Sequence, residues 1–296
     1  MFQCLLNALF LQCSQLRTPT HQISVRGNRV VVIMDNKSTL VSFIILICLT
    51  LASDSQDREP SSKLVVNGTF ARIEDFPYFV SLRTYSSPSD RSILSTCGGS
   101  ILNKYWILTT THCIVTDEGT AQSAKIIAGI DMVTQYGDVY DVDHYVCHPN
   151  YDRPSVRHDL CLLKLSEPVL FSYKVKVVRL ATVQDEAAHT ALKVAGFGLD
   201  GINQIVLRLS VIHMQIHKTN TEIGSEPEEE ICLKALGKSA YIGDAGSGMV
   251  ARTDNGPFIL FGVISTGDPV HEDYTFTCGP RMTFYASWIN DTINKA

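Results

Sequence analysis

Gly243-Asp244-Ala245-Gly246-Ser247-Gly248 is the most informative stretch of this 296-residue sequence. Three further motifs precede it along the chain, and the four motifs are interpreted together, by their order. Each motif alone is a weak signal, since a lone histidine beside a cysteine or an aspartate opening a strand usually serves packing or capping. Together they are highly specific. Outward from residue 243 they are His158-Asp159-Leu160-Cys161-Leu162-Leu163, then Thr109-Thr110-Thr111-His112-Cys113 with Cys97-Gly98-Gly99-Ser100-Ile101-Leu102, then Val65-Val66-Asn67-Gly68 with Pro77-Tyr78-Phe79-Val80-Ser81-Leu82.

Short apolar runs predict an all-β protein. They are rich in Val, Ile, Leu and Phe and are separated by Gly, Pro, Asn and Asp, as in antiparallel barrels. The segment Phe284–Ile293 spaces its apolar residues at three and four, which predicts a C-terminal amphipathic helix. The predicted strands are Phe79–Leu82, Ser100–Leu102, Trp106–Leu108, Lys125–Ala128, Cys161–Leu165, Leu192–Ala195 and Phe258–Ile264.

The four ordered motifs resemble those of the trypsin- and chymotrypsin-like serine endopeptidases. Residues 243–248 resemble that family's Gly-Asp-Ser-Gly-Gly-Pro signature, and Gly196-Phe197-Gly198 resembles its Gly-Trp-Gly turn. The resemblance covers nearly all of Val65–Ala296. It implies two six-stranded antiparallel β-barrels followed by a C-terminal α-helix.

The resemblance also implies the roles of the site residues. His112 corresponds to the general base and Asp159 to the carboxylate that orients it, while the amides of Gly243 and Ala245 correspond to the oxyanion hole. Ala245 occupies the position of the nucleophilic serine, and a methyl group cannot attack a carbonyl. In the family, losing the nucleophile costs about a million-fold in turnover, because the triad acts as a unit.

Further departures from the family pattern lie around the expected specificity pocket. Ser239 stands where a trypsin-like enzyme carries aspartate, and Tyr241 where it carries cysteine. Ser265-Thr266-Gly267 replaces the Ser-Trp-Gly pocket wall and lacks its aromatic residue. The resemblance therefore implies a pocket that has lost its counter-charge for a basic side chain.

The zymogen mechanism of the family is only partly kept. The resemblance pairs a freed Val65 ammonium with the Asp244 carboxylate, which is the aspartate before the nucleophile position. Leu64 precedes Val65, whereas a trypsin-like activator requires Lys or Arg at that point. We therefore expect cleavage by another kind of protease, or none.

An apolar run near the N-terminus predicts secretion. Leu40–Ala52 is shorter than the roughly 20 residues needed to span a bilayer and resembles a signal-peptide core preceded by Met34. We interpret residues 1–33 as an upstream gene-model extension without a structural role, 34–53 as the signal peptide, 54–64 as a short propeptide and 65–296 as the protease-like domain. An uncleaved signal anchor is the alternative. The mature protein is expected outside the cell, without membrane attachment.

Secretion favours disulfides for the six cysteines that follow the leader. The resemblance implies Cys97–Cys113. The other four allow three pairings, of which we prefer Cys147–Cys161 with Cys232–Cys278, although Cys161 could be a buried thiol. No C-x-x-C pair or histidine ligand spacing occurs, so we expect no metal and no other cofactor. Asn67 and Asn290 open glycosylation sequons.

The formal net charge of −5 argues against a sequence-independent nucleic-acid binder, which needs clustered cations. The main interpretation is a secreted, monomeric, non-catalytic homologue that binds extracellular proteins (proteases, their substrates or inhibitors) as a cofactor, decoy or regulator of proteolysis. One alternative is an active endopeptidase that uses an unconventional nucleophile such as Ser247. Another is a binding module that uses the acidic loop 222–230.

Overall fold

The computed structural model describes residues 21–26, 29–34, 68–87, 92–198, 207–217, 228–236, 240, 243–253, 256–271 and 274–295. The chain divides into two units, Met1–Ser61 and Ser62–Ala296. The first contains a two-stranded antiparallel ladder of β1 (His21–Arg26) and β2 (Arg29–Met34), with His21 opposite Met34. This ladder crosses the boundary expected after residue 33. The boundaries of the leader and propeptide remain predictions.

The second unit is mostly β, with strands as its main regular elements. Over the described residues its helices are α1 (Val183–Ala188) and α2 (Met282–Lys295), with 3₁₀ turns at Ile73–Asp75 and Thr111–Cys113. Its strands are β3 (Thr69–Phe70), β4 (Phe79–Tyr85), β5 (Ile93–Ile101), β6 (Trp106–Thr109), β7 (Val115–Thr116), β8 (Gly119–Thr120), β9 (Ser123–Ala128), β10 (Asp138–Cys147), β11 (Cys161–Leu165), β12 (Val178–Leu180), β13 (Ala191–Gly196), β14 (Ser210–His217), β15 (Glu230–Leu236), β16 (Gly248–Arg252), β17 (Phe258–Val263), β18 (Thr266–His271) and β19 (Tyr274–Pro280).

Six of these strands close into a barrel in the order β10-β11-β6-β5-β4-β9. The strands are antiparallel throughout this barrel, and closure removes the unpaired edges that an open sheet would present. Side chains such as Leu82, Ile107, Ile126 and Leu163 fill its interior. The predicted all-β class is confirmed, and so is the first barrel.

The second sheet differs in detail from the predicted six-stranded barrel. Over the described residues it has nine strands in the order β12-β17-β16-β13-β14-β15-β19-β18, with β3 paired to β14. β12 pairs with β17 in parallel, from Val178 opposite Phe258 to Leu180 opposite Leu260. Strand β12 adds to the edge of the sheet at β17, and β3 pairs with Ser210 and Val211 of β14, outside the part of β14 that pairs with β15. Apolar patterning alone reveals neither pairing.

The C-terminal helix is confirmed as α2. It buries Met282, Tyr285 and Ile289, which are spaced at three and four residues and pack into a cluster shared with Leu162 and Leu260. This spacing places all three on one face of the helix. No helix among the described residues is long and apolar enough to cross a membrane.

Helix α1 was not predicted, because none of its six residues is buried and it has no apolar periodicity. Its signal is a capping box: the Thr182 hydroxyl accepts from the Asp185 N–H, and the Asp185 carboxylate accepts from the Thr182 N–H. The Arg179 guanidinium donates two 2.7 Å bonds to Asp185 and holds the pKa of that carboxyl well below its ordinary value.

Three disulfides are present among the described residues. Cys97–Cys113 joins β5 to the 3₁₀ turn that carries His112. Cys147–Cys161 joins directly opposite residues of β10 and β11, and Cys232–Cys278 joins directly opposite residues of β15 and β19. Cys161 is therefore bonded in the structure rather than a free buried thiol.

Gly279→Ala is expected to lower the free energy of unfolding by about 2–3 kcal/mol, because a Cβ there would lie 1.8 Å from the Val263 carbonyl oxygen. Backbone must move to admit the methyl group, since the clashing atom is not the tip of a flexible side chain. A thermal melt followed by circular dichroism should show Tm falling by about 4–12 °C. Gly267→Ala on the neighbouring strand is the control, because its nearest contact would be 3.2 Å. Equal melting temperatures for the two variants would contradict this packing.

Candidate active site

His112 is held by its neighbours on both sides. Strand β6 ends at Thr109, and the 3₁₀ turn Thr111–Cys113 follows at once. The Thr111 hydroxyl donates to the Leu160 carbonyl at 2.9 Å, and Cys113 is tied to Cys97. The turn is thereby anchored to the segment that carries Asp159, while a third of the His112 side chain stays exposed to the cleft.

Asp159 is fully buried and its carboxylate accepts three hydrogen bonds. The His112 backbone N–H donates to Oδ1 at 2.9 Å, and His112 Nδ1 lies 2.6 Å from Oδ2. The Ser265 hydroxyl donates to Oδ2 at 2.5 Å. A carboxylate at Nδ1 favours the tautomer with its proton there, which leaves Nε2 as an acceptor.

The turn before Asp159 has unusual backbone geometry. Val156 and His158 have φ of 57° and 55°, a region that side-chain-bearing residues rarely adopt. Such conformations cost of order 1–3 kcal/mol each and occur often at functional sites, where the surroundings enforce them. The His158 side chain is held by a 2.8 Å hydrogen bond between its Nδ1 and the Tyr285 hydroxyl.

Ser265 has a role that the sequence did not reveal. It was assigned to the pocket wall, and it does line the cavity beside Ala245. Its bond to Asp159 spans 106 positions along the chain. Nothing in the sequence around Ser265 signals this contact, because it depends on how the two sheets meet.

The loop that carries Ala245 is tied to both sheets. The Gly98 N–H donates to the Ala245 carbonyl at 2.7 Å, and the Gly246 N–H donates to the Ile264 carbonyl at 2.8 Å. Gly246 has φ of 81°, and a Cβ there would lie 2.3 Å from the Gly98 carbonyl oxygen. Glycine is therefore required at this position on two separate grounds.

His112 and Ala245 line one cavity of about 330 Å³. The predicted oxyanion residue Gly243 also lines it, with φ of 94°. Among the described residues, no backbone carbonyl accepts from the Gly243 or Ala245 N–H. The cavity is thus lined by the histidine and by both residues that were predicted to form the oxyanion hole, and residue 245 carries a methyl group.

The predicted specificity pocket is partly visible. Thr266 and Gly267 line the same cavity, together with Ala240 and Ile264. Ser239 lies outside the described residues.

The Asp244 carboxylate is completely buried, and its Oδ1 accepts from the Gly198 N–H at 2.9 Å. A Cβ on Gly196 would lie 2.0 Å from Oδ1, and one on Gly198 would lie 2.3 Å from Oδ2. The glycines of the Gly-Phe-Gly turn are thus what make room for the carboxylate. Val65, its predicted zymogen partner, lies outside the described residues.

Ser247 is enclosed away from the cavities at His112. It is fully buried, and its hydroxyl has no hydrogen-bond partner among the described residues. A Cβ on Gly98 would lie 2.1 Å from the Ser247 oxygen, so the hydroxyl lies against that backbone. Ser247 lines neither of the two cavities that include His112.

A second cavity, of about 660 Å³, lies beside His112 and is lined by Val115, Asp117, Tyr151 and Arg153 among others. Burial raises the pKa of Tyr151 to about 12, and the negative charge of Asp159 adds to this effect. Asp117 and Arg153 form an ion pair at its edge. The two cavities share His112, Ser265 and Thr266 in their linings, so both open beside the histidine.

The remaining predicted sites are dispersed. Asn290 is exposed near the end of α2, and Asn67 lies outside the described residues. Of the acidic loop 222–230, only Glu228–Glu230 are described, and the Glu229 carboxylate pairs with Arg157 at 2.9 Å. Within the described part of the chain, no cluster of three or more His, Cys, Asp or Glu is arranged to hold a metal ion.

Comparison with known proteins agrees with this geometry. The chain is 30% identical over 164 residues to a trypsin of Simulium vittatum, which covers 54% of this chain and 64% of that relative. It is 30% identical over 212 residues to trypsin alpha of Drosophila erecta, which covers 69% of this chain and 77% of the relative. It thus spans less than two thirds of the first relative's length. A family model described as Trypsin matches residues 65–289, and the chain belongs to the trypsin family.

Proposed function

We propose that this protein is a secreted, non-catalytic member of its family that binds extracellular proteins and acts as a cofactor, decoy or regulator of proteolysis. The observation that carries the proposal is the methyl group of Ala245, which lines the same cavity as His112. The proposal extends the family assignment to a role in which the cleft holds a polypeptide and releases it intact.

The remaining parts of the site support binding rather than turnover. Without a hydroxyl, His112 has no side-chain proton at residue 245 to accept, and no acyl intermediate can form there. The amides of Gly243 and Ala245 could still bind a peptide carbonyl. In proteases of this family, the oxyanion hole and binding alone give only about 10³–10⁴-fold over the uncatalysed reaction.

The second candidate function is serine endopeptidase activity, which the name of the relatives favours, since both are called trypsin. It requires another hydroxyl within reach of the His112 imidazole. Ser247 is the candidate from the sequence, and its enclosure against Gly98 weighs against it. The two functions differ in one measurable property, the presence of an activated serine.

A fluorophosphonate probe tests the choice between these functions. We expect no covalent label on the secreted wild-type protein, because such probes react with a serine activated by histidine. The matched positive control is the Ala245→Ser variant, which differs only at the nucleophile position. Labelling of wild-type protein at Ser247, located by peptide mass spectrometry, would refute the non-catalytic proposal.

Binding needs its own measurement, since absence of labelling says nothing about partners. A fluorescent polypeptide carrying the sequence of a general protease substrate, such as casein, is incubated with the protein and followed by anisotropy. We expect saturable binding with the polypeptide recovered intact. Fragments in the mixture would support the endopeptidase, and absence of binding would contradict a cleft-based regulator.

A further inference from the structure

A third cavity, of about 280 Å³, opens on the second sheet and shares no lining residue with the two cavities at His112. Its apolar lining residues come from strands β3, β14, β16 and β17 and from the segments on either side of the 3₁₀ turn Ile73–Asp75. They are Phe70, Ala71, Phe76, Val211, Val250, Ala251 and Phe258. This volume suits one apolar side chain of a larger partner better than a whole small molecule.

Cations surround this apolar lining. Lys193 and Arg252 line the cavity, and both are exposed. His213 lies directly opposite Lys193 in the β13–β14 ladder and also lines it. One carboxylate, that of Asp75, is the counter-charge among the lining residues. We call this set, Lys193, Arg252, His213 and the apolar lining, the basic pocket.

Two aromatic rings that line this cavity, Phe70 and Phe258, each carry a stacked arginine, although of the two arginines only Arg252 lines the cavity. The Arg252 guanidinium lies 4.9 Å from the centre of the Phe258 ring, and that of Arg208 lies 4.5 Å from the centre of the half-exposed Phe70 ring. Stacking holds a guanidinium plane in place and leaves its in-plane N–H donors available to an anion. Arg252 uses one donor, Nε, on the Gly256 carbonyl at 3.0 Å.

Lys193 is available to a ligand as well. Within the part of the chain that the structure describes, its ammonium forms no ion pair. Lys193 therefore places a positive charge beside an apolar lining, in a protein whose formal net charge is −5. Local positive charge on an acidic protein favours an anionic group at that point and disfavours a basic group there.

We propose that the basic pocket is a docking site for an acidic peptide segment of a partner protein. An aromatic or branched aliphatic side chain of the segment enters the apolar cavity, and flanking carboxylates bind Lys193 and the stacked arginines. The positive charge of the pocket favours an anionic partner. The apolar lining favours a peptide over a sulfated glycan, because a glycan has no apolar side chain to bury. The site is separate from the cleft, so its failure would leave the proposal about Ala245 untouched.

The experiment uses the full secreted chain and a fluorescein-labelled peptide, Gly-Asp-Glu-Phe-Glu-Asp-Gly, followed by anisotropy. We expect saturable binding that the double variant K193E/R252E weakens at least tenfold. The control K125E/K295E changes the net charge equally at exposed positions outside the pocket and should bind as wild type does. A peptide with serine in place of phenylalanine should bind at least fivefold more weakly, and raising the salt concentration should weaken the parent peptide.

Four results would overturn the proposal. Binding that K193E/R252E and K125E/K295E weaken equally would indicate a response to net charge alone. Equal binding of the phenylalanine and serine peptides would remove the apolar cavity from recognition. A heparin-derived hexasaccharide that binds more tightly than the peptide and is lost in K193E/R252E would assign the pocket to a sulfated glycan. Absence of saturable binding by the parent peptide also rejects it.

Discussion

Ala245→Ser is expected to turn this protein into a hydrolase, raising the turnover of a peptide ester by about a thousandfold or more over wild type. In enzymes of this family, removing the nucleophile costs about a million-fold. The expected gain is smaller because the pocket wall at Thr266 lacks the family's aromatic residue. The physical reason is that His112 is already paired with Asp159 through Nδ1 and lines the same cavity as residue 245.

The measurement is hydrolysis of a panel of chromogenic peptide esters, together with titration by the fluorophosphonate probe. Ala245→Gly is the matched control, because it changes the same position without adding a hydroxyl and should stay inactive. A folded Ala245→Ser protein that neither reacts with the probe nor hydrolyses any ester would show that the cleft has lost more than its nucleophile. Equal activity in wild type and Ala245→Ser would show that residue 245 is not the point of attack.

Asp159→Asn in the Ala245→Ser background is expected to return turnover to the wild-type background, because the corresponding change in this family lowers kcat by about 10⁴-fold, which exceeds the roughly thousandfold gain expected from the serine. The carboxylate accepts from both His112 Nδ1 and the Ser265 hydroxyl. An amide at the same place can present its NH₂ group to Nδ1, which moves the imidazole proton to Nε2. The ring could then no longer accept the proton of the new serine.

Asp185→Asn in the same background is the control, since Asp185 caps helix α1 and does not line the cleft. It should leave kcat unchanged within about twofold, although it loses the Arg179 ion pair. The readout that separates orientation from folding is kcat against KM, because substrate binding should change little in Asp159→Asn. Undiminished hydrolysis by the Asp159→Asn variant would mean that His112 is oriented by another group.

Much of the fold could be predicted from local patterns. Predicted strands such as Trp106–Leu108 and Cys161–Leu165 lie inside or coincide with β6 and β11, because alternating or continuous apolar runs report burial directly. Helix α2 exceeds its predicted range by two residues at each end, which is where side-chain patterns are weakest. Helix α1 and the parallel pairing of β12 were not predicted, because neither segment has an apolar periodicity of its own.

The candidate site likewise has features that the sequence determines and features that only the tertiary structure determines. The sequence alone determines that residue 245 carries a methyl group. It also determines that the histidine, the aspartate and the Gly-Asp-x-Gly turn follow one another in the order of the family. Both follow from the sequence because side-chain identity and spacing are covalent properties. The bond from Ser265 to Asp159, the enclosure of Ser247 against Gly98 and the cations gathered over the apolar lining at Lys193 and Arg252 join positions far apart along the chain. Folding alone brings such groups within contact distance, because long-range contacts depend on how strands pair and sheets pack rather than on any local pattern.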